Sequence, residues 1–326
     1  MKMVKLITLI FLVIFLYSCE ESKNCDNGAC GPDFELPETQ YDIGNPSAGE
    51  VYSLELINRA RSNPSQEALF LTELSDTNVN ASWGYFVGLS SHSLDEAKTK
   101  LIDDFKKFKA KPPIAFNKNL NTSAKVGSEM QRDFDTQAHT INGVTFDKRI
   151  TDAGYSNYEA LGENIFAYSK SIIHAHAGFN IDWGNGEYGM QNPAGHRENI
   201  MNSVFREIGI YNLTENIPSS NKTGPQIITQ DLGSRWGVIL LTGVIYEDLN
   251  GNNFYDPGEG LPQVTVSLSS GSNSYAITST EGAYTIPIDK STGVVKIQAF
   301  SEDLPFVRQI KEIDIKSTNI KIDFTL

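Results

Sequence analysis

The hydrophobic pattern of this chain changes its period once, near Trp236. Before that point apolar residues recur at helical spacing, as in Leu120–Phe134 and Ser171–Trp183. After it they alternate with polar residues in short runs separated by Gly, Ser and Asn, which is typical of a small β-sandwich. We therefore predict a helix-rich domain over residues 47–235 and an all-β sandwich over residues 236–326. A chain of 326 residues is long enough for both cores.

Local signals indicate the fold class of the first domain. They predict a capped helix from Ser47 that ends before Pro64, a helix from near Pro193, and strands over Glu207–Leu213 and Gln226–Leu232. Helices mixed with antiparallel strands predict a layered α+β fold. Between Ser75 and Lys111 we predict one helix, about Asp95–Lys107, with loops on either side.

The first 18 residues have the features of a secretory signal. Lys2 and Lys5 precede the apolar run Leu6–Leu16, which is too short to span a bilayer as a stable helix. The run ends in Leu16-Tyr17-Ser18-Cys19, which resembles a bacterial lipobox and implies cleavage before Cys19 and lipid modification there. We expect an exported lipoprotein on the periplasmic or cell-surface face of a membrane.

Residues 19–46 form a polar segment rich in Gly and Pro, and they predict a flexible tether. Cys25 and Cys30 are the two cysteines that remain after the lipid site. Export makes a disulfide between them feasible, and no histidine lies near them in sequence, so zinc binding there is the poorer interpretation.

The overall charge bears on the kind of partner. The formal net charge is −13, which argues against nucleic acid because such a surface needs clustered positive charge. An acidic balance is compatible with divalent cations, although it more often serves solubility.

Two of the five histidines stand in distinctive settings. His139 follows the end of a polar helix, His196 lies near a helix N-terminus, and Glu163 comes between them, flanked by a glycine and an asparagine. Imidazoles and carboxylates can form a zinc site, and they can equally form a general acid–base pair. We assign His174 and His176 to packing or the surface.

Eight short motifs follow one another over residues 47–235. They are Leu56–Arg61, Pro112–Leu120, His139, Phe146–Ile150 with Ala153–Tyr155, Gly162–Ile165, Gly195–Arg197, Phe205–Gly209 and Thr229–Asp231. In this order they resemble a bacterial member of the CAP superfamily (cysteine-rich secretory, antigen 5, pathogenesis-related). The resemblance implies an α-β-α sandwich with a central cleft. That cleft typically holds two histidines and two acids, sometimes with a divalent metal.

The resemblance also assigns the cleft residues. Three positions correspond by motif to His139, Glu163 and His196, and a bound zinc ion would use the two histidines. The chain departs at the fourth position, because the family often has Trp-Tyr-x-Glu where this chain has Phe179-Asn180-Ile181-Asp182. We prefer Asp182, with Glu187 as the rival. Asp is one methylene shorter than Glu, so its carboxylate reaches less far into the cleft.

A second metal signal lies in the sandwich. The segment Asp248–Glu259 fits the twelve-residue calcium loop, with oxygen donors at positions 1, 3, 5, 7, 9 and 12. The donors are Asp248, Asn250, Asn252, the Phe254 carbonyl, Asp256 and Glu259. The usual glycine at position 6 is Asn253, which tolerates left-handed backbone better than most residues. The segment and its flanks resemble the calcium-loop β-sandwich repeats of bacterial surface proteins, which implies a calcium ion that stiffens the module.

These features favour an envelope protein whose cleft binds a divalent metal or an unknown small ligand, lipid or peptide, with the sandwich as a spacer. One alternative is a metal-dependent, peptidase-like hydrolase of the envelope. The chain has no Gly-x-Ser-x-Gly elbow, and residues 47–235 contain no cysteine, so no nucleophile is indicated. The other alternative is a surface adhesion or interaction protein. The sequence leaves open whether the cleft is catalytic.

Overall fold

The structure is a computed structural model, and it describes residues 35–289, 293–301 and 308–326. The predicted signal peptide over residues 1–18, the lipid site Cys19 and the pair Cys25 and Cys30 lie outside the described residues. The α-helices of the described residues all belong to the first domain. They are α1 (Ala48–Ser62), α2 (Pro64–Glu73), α3 (Thr77–Gly88), α4 (Leu94–Phe105), α5 (Lys118–Asp133), α6 (Phe146–Asp152), α7 (Ile172–Ala177) and α8 (Gly195–Met201).

The strands fall into two groups, one before and one after Trp236 in the sequence. Those before it are β1 (Thr39–Gln40), β2 (Ala115–Phe116), β3 (Thr140–Ile141), β4 (Val144–Thr145), β5 (Tyr158–Ser169), β6 (Glu207–Leu213) and β7 (Gln226–Arg235). Those after it are β8 (Ile239–Tyr246), β9 (Thr265–Leu268), β10 (Ser274–Ile277), β11 (Ala283–Ile288), β12 (Gly293–Phe300), β13 (Gln309–Ile315), β14 (Ile320–Lys321) and β15 (Phe324–Thr325).

The first domain is built on a four-stranded sheet in the order β2-β6-β7-β5. Side chains alternate between the two faces of a strand, so β6 contacts a different helix on each side. Gly209 faces α5, against which it packs without a side chain, whereas Ile208 and Ile210 join α1 in the core of the other face. Helix α6 lies beside α5, and α7 and α8 lie beside α1. The predicted α-β-α sandwich is therefore confirmed.

Helices α2 to α4 form an additional layer that the sequence analysis described only in part. The predicted helix Asp95–Lys107 corresponds to α4. The loop predicted before it is wrong, because α3 occupies Thr77–Gly88. Val79, Trp83 and Val87 recur there every four residues and are all buried in one cluster with α2 and α4. Burial of this stripe stabilises a helix whose polar residues weaken the sequence signal.

The helix predicted over Ser171–Trp183 is divided in the structure. Helix α7 is followed by a π-helical turn at Gly178–Asp182, and Trp183 continues in extended conformation. Asp182 itself has a left-handed φ of +57°. Such turns within helices are frequent at functional sites. This one determines where the Asp182 carboxylate lies.

The second domain is the predicted all-β sandwich. One sheet has the order β1-β10-β9-β12-β13, and the other contains β11-β8-β14 with β15 also paired to β8. The inner faces of the two sheets bury one apolar core, which includes Leu241, Val266, Tyr284, Ile297 and Phe324. Alternation of buried and exposed residues along β13 matches the period-two pattern of its sequence.

The two domains are packed together. Tyr246, Tyr255 and Ala283 of the sandwich belong to the same buried cluster as α1 and the sheet of the first domain. Asn319 donates hydrogen bonds to the carbonyls of Pro113 and Arg206, at 3.1 and 2.8 Å. Strand β1, which lies within the predicted tether over residues 19–46, instead pairs in parallel with β10 of the sandwich. Its pairing extends the interface between the N-terminal segment and the sandwich.

Candidate binding cleft

Glu163 lies on β5, an edge strand of the sheet, and its side chain is fully buried. One carboxylate oxygen is 2.7 Å from Nδ1 of His139, and the other accepts a hydrogen bond from Arg149 of α6. The Arg149 side chain is only 2% exposed, so the two charges compensate each other inside the protein. The His139 side chain is 53% exposed, and its ring therefore remains accessible from solvent.

Two glycines make room for this arrangement. A Cβ at Gly127 of α5 would lie 3.3 Å from the Arg149 guanidinium, which is tight contact. A Cβ at Gly162 would lie 2.7 Å from the ring of Phe205. The Gly162-Glu163 pair thus lets β5 approach the segment before β6 closely while Glu163 turns to the other face.

The second pair joins Asp182 and His196. Oδ1 of Asp182 is 2.7 Å from His196 Nδ1, and Oδ2 accepts the His196 backbone N–H at 2.9 Å. The Gln191 amide donates to Oδ1 at 2.9 Å. Asp182 is fully buried and the His196 side chain is 22% exposed. The shorter acid therefore reaches its histidine, because the π-helical turn and the left-handed backbone place it beside the start of α8.

Both pairs are connected to β5. Glu163 belongs to one pair, and its neighbour Asn164 contacts α8, which carries His196 of the other pair. Asn164 donates to the His196 carbonyl at 3.4 Å, and Asn199 of α8 donates to the Glu163 carbonyl at 3.3 Å. Hydrogen bonds between β5 and α8 therefore hold the His139–Glu163 pair and the Asp182–His196 pair at the same edge of the sheet.

Both histidines are oriented in the same way. Each uses Nδ1 toward a buried carboxylate, and an ionised carboxylate can only accept, so Nδ1 carries the proton. The opposite nitrogen, Nε2, then holds a lone pair. In the part of the chain that the structure describes, neither Nε2 has a hydrogen-bond partner. A carboxylate on the far nitrogen is the usual support of a metal-binding histidine.

The protein ligands for a metal are few. The described residues contain no group of three or more histidine, cysteine or acidic side chains placed to hold an ion. Catalytic zinc sites commonly use three protein ligands and one water. His139 and His196 supply imidazole nitrogens of the right chemistry, while Glu163 and Asp182 are engaged with the far side of those rings. Water or a ligand would have to complete the coordination shell.

The other candidates of the sequence analysis lie elsewhere. Glu187 is 73% exposed and is 3.3 Å from His92, away from His196. His174 is buried against Phe166 and Trp183 and bonded to Ser82, and burial lowers its pKa to about 4. His176 is buried against Glu67 at 2.7 Å, and Glu67 in turn pairs with Arg59.

The sequence analysis did not identify Asp231 as a member of this site. It lies directly opposite Glu163 in the pairing of β5 with β7 and is fully buried. Burial, followed by the charge of Glu163, raises the pKa of Asp231 well above its usual range. Arg149 was also missed. Both residues lie within motifs of the CAP resemblance, but only their contacts reveal the role.

A cavity of about 390 Å³ lies next to the Asp182–His196 pair. It shares Gln191 with that pair and is also lined by Ala194, Arg197 and Glu198 around the first turn of α8. None of the four cleft residues lines it.

The predicted calcium loop is held together by hydrogen bonds to its own carboxylate groups. Asp248 accepts the backbone N–H groups of Gly251, Asn252 and Asn253, at 2.9, 3.1 and 2.9 Å. The amides of Asn250 and Asn252 both donate to Oδ2 of Asp256 at 2.7 Å, and Glu259 accepts the N–H groups of Leu249 and Asp256, at 3.1 and 2.8 Å. Asn253 at position 6 has a left-handed φ of +59°. These hydrogen bonds hold the loop closed on itself, and carboxylate and amide side chains are the kinds of oxygen ligand that a hard cation prefers.

Comparisons with known proteins were made for the whole chain. No protein-family model matches it, and no curated protein is significantly similar to it. Among solved structures it is similar to an extracellular protein containing an SCP domain from Bacillus anthracis str. Ames, at 18% identity and a TM-score of 0.30, covering 43% of this chain and 40% of that chain. It is also similar to an outer surface protein from Borrelia burgdorferi, at 18% identity and a TM-score of 0.30, covering 44% of this chain and 96% of that one. The chain thus spans less than half the length of the Bacillus protein.

None of the helices over the described residues is both long and apolar enough to cross a bilayer.

Proposed function

We propose that this protein is a lipid-anchored binding protein of the bacterial envelope whose CAP-like domain binds a divalent metal ion at His139 and His196. The ordered motifs of residues 47–235 and the α-β-α fold support the CAP-like assignment. The observation that supports metal binding is the shared orientation of both imidazoles. In each ring a buried carboxylate holds Nδ1, and Nε2 keeps its lone pair. A bound ion would supply a positive charge to which oxygen atoms of a ligand could coordinate.

Zinc binding tests this proposal. With only two protein ligands, we expect zinc to bind with about micromolar affinity, which calorimetry of metal-free protein can measure. His139→Ala and His196→Ala should each weaken binding by at least about tenfold, because each removes one nitrogen ligand. His92→Ala, a histidine outside the cleft, is the matched control. Unchanged zinc binding in both cleft variants would contradict the proposal.

A hydrolase is the second candidate. The observation that favours it is the carboxylate-oriented imidazole itself, which is the arrangement of a general base. In the described residues no serine or threonine hydroxyl is bonded to Nε2 of His139 or His196, so the nucleophile would be water. Cleavage of a peptide library that Glu163→Gln abolishes would favour hydrolysis. Binding of zinc without any cleavage by the parent protein would favour the binding role.

We further propose that the loop Asp248–Glu259 binds calcium and stiffens the sandwich. The hydrogen bonds that join Asn250 and Asn252 to Asp256 and the left-handed backbone of Asn253 support this. Calcium at about 1 mM should raise the melting temperature of the protein. Asp248→Ala should remove that increase, whereas Asp314→Ala, an exposed acid of β13 in the same domain, should retain it. A calcium-dependent increase that persists in Asp248→Ala would exclude this loop.

The lipid anchor rests on the sequence of residues 1–19. Expressed in bacteria, the protein should partition into the detergent phase and incorporate a labelled fatty acid. Cys19→Ser should abolish both, whereas Cys25→Ser should not, because only a thiol directly after the signal is modified. Fatty-acid labelling that persists in Cys19→Ser would contradict the anchor.

A further inference from the structure

A second, smaller cavity lies at the other end of the sheet of the first domain, at the turn between α6 and β5. Its volume is about 210 Å³, below the roughly 300–1,000 Å³ of pockets for drug-sized ligands. It therefore suits one ring-sized unit, or the end of a longer chain. Asn117, Asn119, Ser156, Asn157 and Arg235 contribute the polar part of its wall.

The floor of this pocket is a buried network with no net charge. Glu207 is fully buried and accepts from Arg235, from the Tyr155 hydroxyl at 2.8 Å and from Asn117 at 2.8 Å. The shortest Arg235 contact is 2.6 Å. Arg235 is the one charged residue of the pocket wall among the described residues, and Glu207 neutralises it. An ionic ligand would therefore meet no opposite charge there.

The polar groups above this floor have unused hydrogen-bonding capacity. In the part of the chain that the structure describes, the side chains of Asn119, Ser156 and Asn157 make no hydrogen bond, and neither does Nη1 of Arg235. Two amides and a hydroxyl offer both donors and acceptors, and the guanidinium adds a donor. Gly154 and Asn157 have left-handed backbones, at φ of +88° and +56°, and the tight turn between them presents Ser156 to solvent.

Two exposed aromatic residues are neighbours of residues in the pocket wall. Tyr158 is 38% exposed and stacks on Tyr155, with ring centroids 6.2 Å apart and planes 13° from parallel. Trp236 is 60% exposed, and its backbone N–H donates to the Asn157 carbonyl at 3.2 Å. Tyr158 and Arg235 are paired across β5 and β7, so both rings lie at the same end of the sheet. Exposed aromatic faces attract the weakly positive C–H groups of a partner.

We propose that this pocket binds a neutral saccharide. A sugar ring combines hydroxyl groups, which donate and accept hydrogen bonds, with a C–H face that stacks on aromatic rings. The pocket has no net charge, and its unpaired amide and hydroxyl groups can bond to sugar hydroxyls. Tyr158 and Trp236 offer aromatic faces for the C–H side of the ring. The pocket lies away from the paired histidines, so this binding is independent of a metal in the cleft.

The test uses the full-length protein in detergent and three neutral trisaccharides, namely chitotriose, cellotriose and maltotriose, each at up to about 10 mM. The chain has three tryptophans, of which Trp83 and Trp183 are buried, so a change in fluorescence reports on Trp236. At least one trisaccharide should give a saturable fluorescence change and saturation-transfer NMR signals. A sulfated disaccharide should bind less well.

Variants then locate the binding. Asn119→Ala combined with Asn157→Ala should weaken binding at least about tenfold, as should Trp236→Ala followed by NMR. Tyr85→Ala, an equally exposed aromatic of α3, is the matched control and should bind as the parent does. Equal melting temperatures establish that the variants remain folded. The proposal is overturned if none of the three trisaccharides binds, if the sulfated sugar binds better, or if the double variant binds normally.

Discussion

Arg149 is the residue on which the burial of Glu163 depends. Its guanidinium is 2% exposed and compensates a carboxylate that is fully buried and lies opposite Asp231 in the strand pairing. Arg149→Met would leave the Glu163 charge without a cation, and we expect a loss of about 3–5 kcal/mol in the free energy of unfolding. Urea denaturation measures it. Lys148→Met, on the exposed face of the same helix, should change stability by less than about 0.5 kcal/mol. A similar loss in both variants would contradict this role.

His174 predicts part of the acid sensitivity of the protein. The backbone N–H of Lys170 donates to its Nδ1, so Nε2 carries the proton toward Ser82 and the ring is neutral. Burial lowers the pKa of His174 to about 4, below the ordinary value of 6.5. Between those values the unfolded chain binds a proton that the folded protein does not. Stability from this residue is therefore complete above pH 6.5 and falls as the pH drops toward 4.

His174→Gln removes this titration and tests the argument. The decrease in melting temperature between pH 7 and pH 4.5 should be smaller in the variant than in the parent by about 3–6 °C. His92→Gln, a histidine outside the core, should leave the decrease unchanged. If His174→Gln has the same acid dependence as the parent, the neutral buried histidine is not its source.

At the scale of elements, the closest approach in the first domain is between α5 and β6. A Cβ at Gly209 would lie 1.9 Å from the Leu120 carbonyl carbon, so Gly209→Ala must push the helix away from the sheet. We expect a loss of about 3 kcal/mol or more. Gly84→Ala in α3 meets nothing within 4 Å and should gain about 0.5–1 kcal/mol from helix propensity. Urea denaturation of both variants measures the contrast, and equal effects would contradict the close packing.

The loop Asp248–Glu259 also contacts α1 across the domain boundary. The Phe254 ring lies 6.1 Å from the Tyr52 ring and 5.4 Å from the Arg59 guanidinium. Arg59 also pairs with Glu67 of α2. An ion that fixes the loop would therefore also fix a contact of the first domain. This is why we expect calcium to affect the melting of the whole protein.

At the scale of the whole molecule, an ion pair with a buried glutamate joins the domains. Lys321 of β14 is 2.8 Å from Glu55 of α1, and burial raises the pKa of that glutamate. Lys321→Met would leave Glu55 buried without its cation and should lower the stability of a single cooperative unfolding transition by about 3–5 kcal/mol. Lys316→Met, a lysine of the same domain that is 71% exposed, is the control. Calorimetry that resolves two independent transitions in the parent protein would contradict a shared core.

The sequence by itself determined the classes of structure and the identity of the paired histidines. Period-two and helical patterns depend only on residues that are near one another in sequence. They therefore predicted the two domains, and they predicted the strand Glu207–Leu213 with the bounds that β6 has in the structure. The motif order selected His139, Glu163 and His196, and it left the fourth position to Asp182 with Glu187 as the rival. Helix α3 was missed because its stability depends on burying the apolar stripe that contains Trp83. That stripe is buried only by packing against the neighbouring helices.

Only the tertiary structure decided how those residues are used. The pairing of Glu163 with Arg149 and Asp231 joins residues 14 and 68 positions apart, and no local pattern encodes such contacts. The choice of Asp182 over Glu187 depends on a π-helical turn that aims one carboxylate at α8 and leaves the other at the surface. The polar pocket at Asn157 and Arg235 likewise exists only because β5 and β7 pair there. Burial and charge compensation are properties of neighbours in space, and the fold alone supplies them.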